Sequence, residues 1–80
     1  MLTEKRIAEL LRASSFDYQQ AETAHHRLDE QIAGLYKRHV LTPQEELRVK
    51  QMQKEKLATK DQMASLIRTY REQQAHAQSH

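Results

Sequence analysis

Eighty residues, 38% apolar and 30% charged, with one Gly, one Pro and no Cys, allow one small domain and exclude a disulfide framework or a thiol nucleophile. A mean hydropathy of −0.95, with no apolar run near the roughly 20 residues a span needs, argues against a membrane segment. The formal net charge of +2 is mild for a dedicated nucleic-acid binder, whose affinity grows with each neutralised phosphate.

The chain opens with charge: Glu4, Lys5 and Arg6 follow Thr3 before any signal-peptide core could form, so a cytoplasmic protein is expected. Thr3 followed by Glu4 reads as a helix start. From there Ile7, Leu11, Ser14, Tyr18, Ala21, His25, Leu28, Ile32 and Leu35 recur in steps of three and four, the spacing that holds one stripe on one side of a helix. The first helix therefore covers about 4–37. Ser14-Ser15 favours a break within it, since serine prefers caps to helix interiors and Ser14 puts a polar group on the stripe. Gly34 could stop this helix early, but Leu35 keeps the period.

A turn over 38–42 leads to Thr42-Pro43-Gln44-Glu45, where Thr42 can cap, Pro43 suits the first helical position and Glu45 can reach back. The second helix covers about 43–74, and a polar tail, 75–80, is expected to fray. Its stripe runs Val49, Met52, Lys56, Thr59, Met63, Leu66, Tyr70. Two facing stripes on one short chain define an all-α, antiparallel two-helix hairpin with a coiled-coil seam. Folding near residue 40 sets Ile32 near Val49, Leu28 near Met52, His25 near Lys56, Ala21 near Thr59 and Tyr18 near Met63, to within one turn. Glu22 then faces Lys60.

Leu57 and Ile67 lie off the seam with Ala64 between them, and in a monomeric hairpin they face water. A thin core of this kind often needs further cover, so a homo-oligomeric bundle or a helical protein partner is expected. Arg48, Lys50, Lys54, Lys56 and Lys60 oppose only Glu55 between 48 and 60. Lys50 and Lys54 fall on the outer surface and Lys56 and Lys60 toward the seam, so they form no single stripe, and a solvated face explains them better than a nucleic-acid site.

Chemistry finds little purchase. Glu22-x-x-His25, with the pairs His25/Asp29 and His26/Glu30, has the spacing used in di-iron bundles; the other helix lacks a second motif and further carboxylates, and only a homodimer could supply a second copy. A polar seam residue beside a solvated one accounts for His25 and His26. No Gly-rich phosphate loop is present and no Ser has a His and an acid at defined positions, so neither catalysis nor a cofactor is expected.

His25-x-x-Leu28-Asp29-x-x-Ile32, followed by Lys54-x-Lys56-Leu57-x-x-Lys60-Asp61-x-Met63, resembles the small bacterial YdcH family, with Tyr18 at its usual aromatic position. The resemblance covers about residues 18–67. Ala21 and Thr59 depart from it where larger apolar residues are the rule, and 37–43 replaces a Gly-rich turn. The resemblance implies a short helical hairpin with no catalytic residue to carry over, and it marks His25, Asp29, Lys60 and Asp61 as shared polar positions. The resulting expectation is a non-enzymatic interaction or self-assembly module using Leu57, Ala64, Ile67, Lys50 and Lys54. Weak RNA or DNA binding through 48–60, and a co-chaperone role toward a coiled-coil protein, are the alternatives.

Overall fold

Three capping side chains divide the chain. Thr3 Oγ1 accepts from the Arg6 amide at 3.2 Å, and Ser15 Oγ accepts from the Tyr18 amide at 3.2 Å. Thr42 Oγ1 accepts from the Glu45 amide at 3.1 Å while the Glu45 carboxylate accepts from the Thr42 amide at 3.0 Å, the reciprocal pair of a capping box. The computed structural model describes residues 2–38 and 40–78. The helices that follow these caps are α1 (Glu4–Ser14), α2 (Phe16–Tyr36) and α3 (Pro43–Gln78). No strand occurs among the described residues.

The break falls at Ser15, whose backbone is extended at φ −111° and ψ 116°. It is sealed by side chains: Ser14 Oγ donates to the Leu10 carbonyl at 2.7 Å, and Gln19 Nε2 donates to the Arg12 carbonyl at 2.7 Å. The bend also brings Arg12 onto Glu22 in a two-bonded pair of 2.7 and 2.6 Å. Ten residues of unbroken helix would hold those two about 15 Å apart along the axis. Glu22 therefore answers Arg12 rather than Lys60. Gly34 does not end α2, which continues to Tyr36 with Lys37 as its cap. The second helix, expected to stop near Gln74, continues through Gln78, because Gln and Ala at 74–78 are good helix formers with no breaker among them. Ser79, His80 and His39 of the turn lie outside the described residues.

At 36 residues, α3 is about 54 Å long and sets the long axis of a molecule measuring 58 × 20 × 17 Å. α2 packs along it and α1 packs on both. Two apolar clusters result. Near the turn, Ile32, Val49 and Met52 are buried with Leu28, Leu35 and Leu41 around them. Toward the far end, Ile7, Leu11 and Tyr18 are buried against Ala8, Met63, Leu66, Ile67 and Tyr70. Every stripe residue except Ser14 is buried or half-buried.

Candidate interaction surface and polar seam layer

Between the two clusters the seam turns polar. Ala21 is buried there, and His25, Lys56 and Thr59 are half-buried. His25 Nδ1 meets Thr59 Oγ1 at 3.3 Å, and Lys56 Nζ donates to Asp29 Oδ1 at 2.6 Å. Both pairings lie about one turn from the expected register, in which His25 faced Lys56. Lys56 sits on the seam with its stem covered and carries its ammonium out to the rim, where Asp29 accepts it. Its hydrogen bond and positive charge hold the Asp29 carboxyl below the usual carboxylate range. The Arg12 hydrogen bond does the same to Glu22, and burial raises the Tyr18 phenol.

These pairings engage three of the residues in the metal-like spacing read from the sequence. Glu22 is taken by Arg12, His25 by Thr59 and Asp29 by Lys56. Among the described residues no group of three or more His, Asp or Glu is placed to hold a metal ion.

The outward face of α3 brings together four of the five expected surface residues. Lys50, Lys54, Leu57 and Ala64 are all exposed, and Leu57 keeps 62% of its surface in water. Ile67 is the exception and corrects the expectation that it faces water. It is half-buried against Ile7, Leu11 and Tyr18, because the break at Ser15 lets α1 pack over that part of α3. Of the shared polar positions, Asp29 is bound to Lys56 and His25 to Thr59, while Lys60 and Asp61 are exposed. Lys60 joins His25, Gln53, Lys56 and Leu57 around a shallow groove beside the seam.

Reading the sequence alone missed Leu47, 68% exposed, and with it the order of this face. Leu47, Lys50, Lys54, Leu57, Asp61, Ala64 and Arg68 follow one another in alternating steps of three and four, and all are exposed. This is a second stripe at heptad spacing on the outer side of α3, with Leu57 at its edge, where it also borders the groove shared with His25 of α2. The seam stands out in the sequence because most of its positions are apolar, whereas four of these seven are charged.

The fold and the surface therefore define a small all-helical protein in which α2 packs along α3 and a stripe of α3 lies exposed among the described residues. A family model described as a protein of unknown function, DUF465, matches residues 19–67. The chain belongs to that family, which includes the YdcH-like proteins. No curated protein matches the chain, and no solved structure does. Among the described residues no helix is long and apolar enough to cross a membrane.

Proposed function

We propose that this protein is a non-enzymatic, cytoplasmic interaction module whose working surface is the outer stripe of α3. The observation that supports this is Leu57, 62% exposed at the middle of a 36-residue helix, with Leu47 and Ala64 in line with it. Exposed leucines in heptad register on a helix already packed on its opposite side are suited to receive another helix. The lysines at 50 and 54 would favour a partner that presents a carboxylate opposite them.

Leu57→Glu tests the reading. Loss of association with unchanged helicity and thermal stability supports it, whereas a variant that associates as the parent does removes the stripe from any such role. Lys50, Lys54 and Arg68, which form no ion pair among the described residues, favour polyanion binding as a second reading. That reading requires affinity for RNA or DNA that falls steeply with salt. Leu47, Leu57 and Asp61 within the same stripe weigh against it.

A further inference from the structure

The outer stripe alternates apolar and charged residues in an order that can be tested for self-pairing. Taking Leu47, Lys54, Asp61 and Arg68 as one set of heptad core positions and Lys50, Leu57 and Ala64 as the other, two parallel copies would stack each residue on itself. Lys50, Lys54, Asp61 and Arg68 would then each meet a like charge. Two antiparallel copies pair one set with the other. In one register Leu47 lies over Ala64 of the second copy, Lys50 over Asp61, and the Lys54 stem over Leu57, with every contact made twice about a two-fold axis.

That register places no like charges in a layer. Sliding one copy by a heptad in one direction sets Lys50 against Lys54, and in the other sets Lys50 against Arg68. The flanks agree with it: Gln53 falls beside Lys60, and Gln51 beside Ala58. Lys50 and Asp61 have no ion-pair partner within the described residues, so each is free to take the other across the interface.

We infer that the occupant of this stripe is a second copy of the same chain, docked antiparallel through α3 between Leu47 and Ala64, with Lys50 and Asp61 forming two symmetric ion pairs. This rests on the reading of the stripe as an interaction surface and names its partner. The overlap is about 27 Å of helix with polar layers in its centre. It therefore belongs with small, weak interfaces, and association is expected at roughly tens to hundreds of micromolar.

The full chain tests this directly, and the absence of native cysteine makes thiol trapping clean. Sedimentation equilibrium should give a monomer–dimer equilibrium. Lys50→Glu or Asp61→Lys alone should weaken it about tenfold, as two attractive pairs become repulsive, and the double reversal should restore it. Under oxidation, Leu47→Cys chains mixed with Ala64→Cys chains should form the mixed disulfide, while neither variant links to itself at the same concentration.

A protein that stays monomeric to about 1 mM overturns the inference, as does self-linking of Leu47→Cys or a double reversal that fails to rescue. A designed heptad peptide, with Leu facing Leu47 and Leu57 and Glu facing Lys50 and Lys54, separates the two ideas. If the chain is monomeric but binds this peptide, and Leu57→Glu abolishes binding, the surface stands and the second copy falls. If it neither dimerises nor binds the peptide, both fall.

Discussion

Lys56 reaches across the hairpin to Asp29 at 2.6 Å from a position on the seam itself. The stripe would be better filled there by an apolar residue, and the lysine keeps its place only by sending its charge to the rim. Such a residue costs stability and sets alignment, because its one ion pair among the described residues, to Asp29, ties α3 to α2 at a fixed register.

Lys56→Leu should therefore stabilise the hairpin by about 1 kcal/mol through added apolar burial, read as a higher urea midpoint with an unchanged slope. The gain should come with looser alignment of α2 on α3, seen as weakened long-range contacts between Asp29 and residues 56–59 in an NMR spectrum. A lower midpoint would mean that the Lys56–Asp29 pair contributes more than the apolar side chain that replaces it.

The far cluster depends on one side chain above all. Ile7 has no exposed surface and belongs to the cluster against which Ile67 and Tyr70 pack. Truncation to alanine should cost about 2–4 kcal/mol, and the cost should fall first on α1, an 11-residue helix too short to persist alone. Amide hydrogen exchange should then quicken throughout Glu4–Ser14 while Ile32, Val49 and Met52 remain protected. Uniform acceleration along the whole chain would show instead that α1 and the hairpin unfold as one unit.

Much of this architecture was legible because it is local. The caps at Thr3, Ser15 and Thr42 act within three residues, and the seam is a periodicity. What the sequence hid depends on an angle. A break at Ser15 can be read from two serines, but the direction in which α1 leaves cannot, and that direction decides that Arg12 takes Glu22 and that Ile67 is covered. The outer stripe was hidden differently: four of its seven positions are charged, so it carries little hydrophobic contrast with the positions beside it.

Three carboxylates tie stability to acid. Arg12 hydrogen bonding lowers Glu22, Lys56 hydrogen bonding lowers Asp29, and the Thr42 backbone amide lowers Glu45. Each is held below its unfolded value, so its contribution is complete above the unfolded carboxylate range and is lost as pH falls through the folded value. The thermal midpoint should hold above about pH 5 and decline below about pH 4. Arg12→Ala should flatten that decline by removing the leading cause at Glu22, and an acid limb of unchanged steepness in this variant would assign the decline to other groups.

Thr59 has one hydroxyl hydrogen, and Oγ1 donates it to the Lys56 carbonyl at 2.7 Å. With its hydrogen on that carbonyl the same oxygen accepts from His25, 3.3 Å away, which puts the ring hydrogen on Nδ1. Neutral His25 should be the Nδ1–H tautomer, which long-range nitrogen–proton correlation spectra identify directly. Thr59→Val removes the acceptor and should move the proton toward Nε2, with His26 unchanged as the internal control. If the parent protein already shows Nε2–H at His25, Thr59 must point its hydrogen at the ring and leave the Lys56 carbonyl without it, and the polar layer is wired in the opposite sense.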